Sequence, residues 1–234
     1  MNLLNILFSI SSLTALIIII ERLSPTTKVL LQPFNFIRLH ELNQTILFLS
    51  VTVIVSFFIL RLLTNNFQLL QKKGNMFLII LFIVGVYLYG AGEGWHEIAS
   101  FTLNQYCNIH VVVGNLCSGL FINDFYIGNI IFFIGAVCMN ISLLALSVKN
   151  PIKRFDNKNI FILLVNSIVY AFTWFAYAAF DRVLVGFFFS GLLMIISLIF
   201  FITVKNKLRE YPYILYSAVA YSVATIATVL VKFH

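Results

Sequence analysis

Charged side chains are scarce in this chain of 234 residues. They make up 10% of the sequence, whereas 61% of the residues are hydrophobic. Soluble domains carry about 25% charged residues, and a soluble fold of this size has no room to bury so much apolar surface. The composition therefore excludes an ordinary soluble domain and predicts an integral membrane protein that lies almost wholly in lipid.

Several functional signatures are missing as well. The three cysteines form no C-x-x-C pair, which excludes the dithiol redox motif and the zinc sites built on such pairs. No glycine-rich stretch is followed by Lys-Ser or Lys-Thr, which excludes a phosphate-binding P-loop. No internal repeat or low-complexity linker divides the chain, so we expect one domain over residues 1–234.

Seven apolar runs approach the roughly 20 residues that a helix needs to cross a bilayer. They predict an all-α integral membrane protein, a bundle of about seven transmembrane helices. The first run lacks a basic leading segment and an A-x-A cleavage site, so we expect it to be retained as a helix. The predicted spans cover residues 3–20, 44–63, 76–99, 127–148, 160–180, 183–204 and 213–231.

The net charge of +7 is divided unevenly between the two sets of connections. Cytoplasmic connections of membrane proteins carry an excess of Lys and Arg. Ten of the fifteen basic residues fall on the side that holds the N-terminus. We therefore expect a cytoplasmic N-terminus, a C-terminus outside and no nucleic-acid partner. The ten are Arg61, Lys72, Lys73, Lys149, Lys153, Arg154, Lys158, Lys205, Lys207 and Arg209.

Acidic residues and histidines gather on the opposite, non-cytoplasmic side. Six of the eight acids and all four histidines fall there. Orientation depends mostly on Lys and Arg, so acids are free to drift to that side, and this alternative explains some of the bias. The residues are Glu21, His40, Glu41, Glu93, His96, Glu97, His110, Asp124, Asp181 and His234.

The polar stretch Gly90–Glu97 directly follows the apolar part of the third span. It contains Glu93, His96 and Glu97, and ionisable groups near a bilayer core are costly enough to indicate a functional site. A Glu-x-x-His pair on a helix supplies two ligands to a metal in carboxylate-bridged bundles. The alternatives are a metal-free polar cluster that hydrogen-bonds helix ends, and a proton or ion path.

The metal hypothesis names a complete set of residues. An imidazole and carboxylates with an open position suit Zn²⁺ or another divalent metal that activates water. Glu97 is the expected general base, and Glu93 the second catalytic carboxylate. The expected ligands are Glu93, His96, Asp124, His40 and His110.

Three glycines, Gly90, Gly92 and Gly94, interleave with this stretch. They favour either close approach of a neighbouring helix or a break in the helix, which a membrane permits only where the backbone is buried or lines a cavity. Both alternatives put the ionisable cluster against protein and not against lipid.

Cys107 and Cys117 lie in a connection predicted to be outside, where an oxidising compartment favours a disulfide between them. The alternative is two independent small apolar residues. Asp124 near the start of the fourth span suits a helix N-cap, a role compatible with metal binding.

A polar stripe runs along the seventh span. Residues three and four apart share one face of a helix, so these side chains face one way. They either line a cavity or join helices by hydrogen bonds. The stripe consists of Ser217, Tyr221, Thr225, Thr228 and Lys232.

Seven spans with His and acidic residues on the non-cytoplasmic face resemble, in outline, the alkaline-ceramidase-type membrane hydrolases. That resemblance implies a lipid hydrolase with a zinc site. The late H-x-x-x-H pair of that family has no counterpart here, because the seventh span holds no histidine before His234. No site residues are therefore transferred.

The sequence predicts a membrane-embedded, metal-assisted hydrolase that acts on a lipid or small amphiphile at the non-cytoplasmic face. The alternatives are a proton- or ion-coupled carrier and a structural membrane protein without catalysis. A composition rich in Lys, Asn, Ile and Phe is typical of AT-rich bacterial genomes, so we expect the bacterial inner membrane.

Overall fold

The computed structural model describes residues 2–71 and 74–233. Within them, seven helices are long and apolar enough to cross a membrane. This confirms the helical bundle and the multi-pass membrane assignment. Lys72 and Lys73, which support the predicted orientation, lie outside the described residues, as does His234. The helices are α1 Leu3–Arg22, α2 Leu39–Leu63, α3 Met76–Tyr106, α4 Asn115–Lys149, α5 Asn157–Phe180, α6 Val185–Glu210 and α7 Pro212–Lys232.

Three helices extend further into polar sequence than the apolar runs predict. Helix α2 begins at Leu39, α3 continues to Tyr106, and α4 begins at Asn115. Their ionisable residues are buried against other helices and not against lipid, so the backbone remains helical through them. The predicted N-cap role of Asp124 is wrong for the same reason, because this residue lies in a π-helical segment inside α4, Asn123–Gly128.

The two ends of the bundle differ in chemistry. One end, which we call the basic end, carries Lys149 and the basic residues that precede α5 and α7. It is held together by hydrogen bonds between connections: Lys149 Nζ donates to Asn75 Oδ1 at 2.5 Å, and Asn150 Nδ2 donates to the Leu63 oxygen at 2.9 Å. We call the other end, where α1 finishes and α2 begins, the polar end.

Apolar packing fills the basic half of the bundle. Its largest buried members come from α1, α2, α4, α5 and α7, and large apolar side chains on the outside of the bundle remain exposed, as a lipid-facing surface requires. The two cavities described below are lined mainly by residues outside this core. The most buried members of this core include Leu4, Phe8, Leu63, Leu144, Leu163 and Ile214.

Close contact between α3 and α4 positions the residues of the polar end. A Cβ added at Gly92 of α3 would lie 2.2 Å from the Phe132 nitrogen, and one at Gly128 of α4 would lie 2.8 Å from the His96 nitrogen. Only glycine allows backbones to approach this closely. Helix α3 runs unbroken through the Gly90–Glu97 stretch, so close approach is the correct interpretation at Gly92.

The polar stripe of α7 joins helices by hydrogen bonds. The hydroxyls of Thr225 and Ser190 lie 2.8 Å apart, and Thr228 donates to the Ala224 oxygen of its own helix. Lys232 Nζ donates to the main-chain oxygens of Ala178 and Asp181 at 3.1 and 3.0 Å. The stripe therefore fastens α7 to α5 and α6.

Candidate functional site

A cavity of about 390 Å³, which we call the outer cavity, lies at the polar end. It is lined by two arginines, Arg22 and Arg38, and by most of the acids and histidines of that end. Thr27, Ser100, Asn104 and Asn129 add hydroxyl and amide groups to the polar lining. Acids and histidines from α2, α3, α4 and the connection after α5 therefore face one space. They are His40, Glu41, His96, Glu97, Asp124 and Asp181.

His96 and Asp124 form the closest pair in the outer cavity. The His96 Nδ1 lies 2.8 Å from Asp124 Oδ1 and 3.1 Å from the main-chain oxygen of Asp124. The directed hydrogen bond goes to the main-chain oxygen, so Oδ1 of this buried carboxylate lacks a hydrogen-bond donor among the described residues. A main-chain oxygen and a carboxylate oxygen only accept, so Nδ1 carries a hydrogen, and Nε2 is the ring nitrogen that remains for another partner.

His40 is held in the same way by Glu21. Its Nδ1 lies 2.7 Å from Glu21 Oε2. Glu21 also accepts hydrogen bonds from Gln44 and Asn43 at 2.9 Å and from Thr26 at 3.0 Å. This carboxylate is fully satisfied and ties the end of α1 to the start of α2, so its role is structural.

Glu41 is paired locally. Its carboxylate accepts from Arg38 Nε at 2.7 Å and from the Arg38 main-chain nitrogen at 3.2 Å. The Arg38 guanidinium also lies over the Phe101 ring, 5.4 Å from its centre. A carboxylate engaged this way has little freedom to act as a base.

Glu97 and Ser100 line the outer cavity without such partners. Glu97 is 3% exposed, and no hydrogen bond from the described part of the chain reaches its carboxylate. Ser100 follows His96 by four residues and Glu97 by three, so the three share one face of α3. Several helical hydroxyls here donate to the oxygen four residues back, as Thr102 does to Ile98. The Ser100 hydroxyl has no such acceptor and receives only a 3.4 Å contact from Asn104.

A second cavity of about 90 Å³, the inner cavity, lies deeper in the bundle and contains Glu93. Tyr177 lines both cavities and so lies where they meet. Its hydroxyl accepts a hydrogen bond from Arg22 at 3.1 Å, and the guanidinium lies 5.0 Å from the centre of its ring. Glu93 therefore lines a different cavity from His96 and Glu97, although all three lie within two turns of α3.

The structure divides the predicted metal ligands among three places. His96 and Asp124 are in contact, and His40 lines the same outer cavity, whereas Glu93 lines the inner one. His110 lies in the exposed connection between α3 and α4 and lines neither. Within residues 2–71 and 74–233, no three His, Cys, Asp or Glu side chains form a metal-binding group.

The connection after α3 is fastened at two points. The sulfur atoms of Cys107 and Cys117 lie at disulfide-bonding distance, as predicted. The Arg182 guanidinium donates to the main-chain oxygen of Ile109 in the same connection. The neighbouring Asp181 lines the outer cavity, where burial raises the pKa of its carboxyl, while the Val183 main-chain N–H and the charges of His96 and Lys232 oppose that rise.

Sequence reasoning overlooked Ser100 and Arg22. Ser100 was detectable, because its spacing from His96 puts both on one helix face. Arg22 counted only as a charge that sets orientation, and its contact with Tyr177 of α5 depends on tertiary packing that no local pattern carries.

Comparison with protein-family models, with curated proteins and with solved structures finds no match.

Proposed function

We propose that the outer cavity is the active site of a membrane-embedded hydrolase that cleaves an ester or amide of a lipid or other small amphiphile. The observation that carries the proposal is the His96–Asp124 pair, which leaves the second ring nitrogen of His96 without a hydrogen bond from the described residues, in the cavity that the Ser100 side chain also lines. A nucleophile, a base and a group that orients the base are the parts that acyl transfer needs.

The chemistry can be written with the chain's own residues. Ser100 Oγ attacks the carbonyl carbon and passes its proton to His96 Nε2. His96 then gives that proton to the leaving group as the acyl bond breaks, which leaves an ester on Ser100. Water adds to this ester, His96 takes a proton from the water, and Ser100 recovers it when the product acid departs.

Neighbouring side chains support these steps. Asp124 holds the His96 ring and stabilises its charged form. The Glu97 carboxylate, which lines the same cavity, stabilises that charged form as well. The Arg22 guanidinium, which lines the same cavity, is a hydrogen-bond donor that can face a developing oxyanion. Glu97 therefore changes from the expected general base to an electrostatic partner.

The predicted divalent metal does not fit this arrangement well. Only His96 and Asp124 are in contact among the expected ligands, and the Nδ1 of His96 is already engaged. A zinc site needs at least three protein ligands. We therefore assign no step of the proposed reaction to a metal.

The proposal includes an orientation. The basic end is assigned to the cytoplasm and the outer cavity to the non-cytoplasmic face of a bacterial inner membrane, because Lys and Arg concentrate at the basic end. Substrates would then reach the cavity from the outer leaflet.

A proton- or ion-coupled carrier is the second candidate. The observation that favours it is Glu93, whose carboxylate has no hydrogen bond from the described residues and lines the inner cavity. This cavity shares the lining residue Tyr177 with the outer cavity. The apolar core of the basic half counts against it, because transport needs access from both sides. Substrate flux into proteoliposomes that depends on Glu93 and not on Ser100 would favour the carrier.

Hydrolysis of p-nitrophenyl esters of short and long acyl chains by the purified protein tests the proposal. We expect Ser100→Ala and His96→Asn to lower kcat/KM by at least about 100-fold, whereas Ser118→Ala, a serine outside both cavities, leaves it unchanged. Activity that survives Ser100→Ala, or that EDTA removes and zinc restores, would contradict the serine mechanism.

A further inference from the structure

The inner cavity contains a buried carboxylate without a partner. Glu93 is 7% exposed and lines the cavity, and no hydrogen bond from the described residues reaches its carboxylate. No lysine or arginine is among the residues that line this space. An ionised carboxylate removed from water is strongly destabilised unless a counter-charge lies close to it.

Aromatic rings form most of the wall around Glu93. The ring centres of Tyr89 and Phe132 lie 4.3 Å apart, those of Phe132 and Tyr177 6.1 Å, and those of Phe133 and Trp174 5.5 Å. These rings make one continuous surface contributed by α3, α4 and α5. Electron-rich ring faces attract weakly hydrated cations.

From these two features we propose that the inner cavity binds a small alkylammonium ion, with Glu93 as its counter-ion and the aromatic rings as its cage. The volume of about 90 Å³ corresponds to about six water-sized probes. This is room for a trimethylammonium group and its adjoining methylene.

The lining distinguishes this ligand from a metal cation. A calcium ion takes six to eight oxygen ligands, whereas this wall offers one carboxylate and hydroxyls such as Thr52, whose proton is already donated to the Phe48 oxygen at 2.9 Å. Thr173 adds a buried hydroxyl without a partner. An organic cation satisfies the carboxylate and the apolar ring faces together.

Tyr177 gives the inner cavity a boundary with the outer one. Its ring already interacts with a cation, since the Arg22 guanidinium lies 5.0 Å from the ring centre on the outer side. A ligand that enters from the outer cavity passes this side chain. The inference does not depend on hydrolysis, because binding is measured directly and without a reaction.

Calorimetric titration of the purified protein with choline, compared with its neutral isostere 3,3-dimethylbutan-1-ol, tests the proposal. We expect choline to bind and the neutral alcohol to bind at least about 10-fold more weakly. Equal binding of the two, or stronger binding of sodium than of choline at constant ionic strength, would overturn it. The wild-type protein suffices for this comparison, so no variant needs to fold.

Two variants locate the site. Glu93→Gln should weaken choline binding by at least about 10-fold, and Phe132→Leu by about threefold to tenfold. Phe172→Leu, a change at an exposed ring outside the cavity, is the matched control. Unchanged affinity in both test variants, or an equal loss in the control, would overturn the assignment.

The same cation occurs in free amines and in lipid headgroups. Dihexanoylphosphatidylcholine, titrated below its micelle concentration, distinguishes the two sources. Tighter binding than choline supports a headgroup site, and weaker binding supports a site for a soluble ion.

Discussion

His96 contributes one free ring nitrogen to the outer cavity, because the other is held by Asp124. Both acceptors on that aspartate lie within 3.1 Å of Nδ1, so the tautomer follows from the chemistry of the acceptors. The free Nε2 is the base that the proposed reaction needs. Asp124 acts on the reaction through His96 and is therefore a positioning residue.

Asp124→Asn tests this role. Its amide can place an N–H against His96 and favour the wrong tautomer, so we expect kcat for ester hydrolysis to fall by about 100-fold or more with little change in KM. Steady-state kinetics measures both constants. A variant that changes KM alone would show that Asp124 contributes to binding and not to the orientation of the base.

Asp181 is a second residue whose environment has a measurable consequence. Burial raises the pKa of its carboxyl above the ordinary value of an aspartate, so the folded protein holds this proton more tightly than the unfolded chain. The contribution of Asp181 to stability is then largest below the unfolded pKa and is lost as the pH rises through the folded pKa.

At pH values above the folded pKa, we therefore expect Asp181→Asn to raise the apparent Tm. At pH values below the unfolded pKa, we expect the substitution to have little effect on the Tm. Thermal unfolding in detergent across the acidic range measures the difference. A variant that is destabilised equally at every pH would contradict the account and indicate that the hydrogen bond to the Val183 main chain dominates.

At the scale of helices, the contact between α3 and α4 decides whether the site forms. Gly92 meets the backbone of Phe132, and Gly128 meets the backbone of His96. Backbone cannot move aside as the end of a flexible side chain can. A methyl group at either position must therefore push the two helices apart and lengthen the distance between His96 and Asp124.

Gly92→Ala should accordingly destabilise the protein by about 1–3 kcal/mol and lower hydrolytic activity. Gly119→Ala on α4 is the control, because nothing lies within 4 Å of an added Cβ there. Thermal unfolding and ester hydrolysis are measured for both. Equal behaviour of the two variants would contradict the close-packing account.

The helices could be predicted from the sequence because seven apolar runs satisfy the length that a bilayer requires. The polar ends of these helices could not be predicted, because a hydropathy profile places the end of a span at residues such as Glu41 or Asp124. It does so whether the side chain faces water or a cavity within the protein. The sequence predicts His96 and Asp124 together as ligands of one metal, and in the structure these two residues are in contact. The sequence does not predict that Glu93 lines a different cavity from His96, because this depends on the position of Tyr177 of α5.

At the scale of the whole molecule, the bundle is asymmetric along its axis. Apolar side chains fill the basic half, and both polar-lined cavities lie toward the polar end. That asymmetry favours a site that receives its substrate from one face.

The proposed orientation predicts different accessibility of the two ends. A cysteine in place of Phe34, an exposed residue in the α1–α2 connection, should react with a membrane-impermeant maleimide in intact spheroplasts. A cysteine in place of Lys153, which is exposed between α4 and α5, should react only after permeabilisation. The reverse pattern would invert the orientation and contradict entry from the outer leaflet.

The central claim is that Ser100 is a nucleophile activated by His96. Peptide mapping by mass spectrometry after treatment with an alkyl fluorophosphonate tests it most directly, because the reagent reports an activated serine without knowledge of the substrate. The account predicts one adduct on Ser100 that disappears in Ser100→Ala and His96→Asn and persists in Ser118→Ala. Absence of an adduct on Ser100, or an adduct that forms equally well without His96, would contradict it.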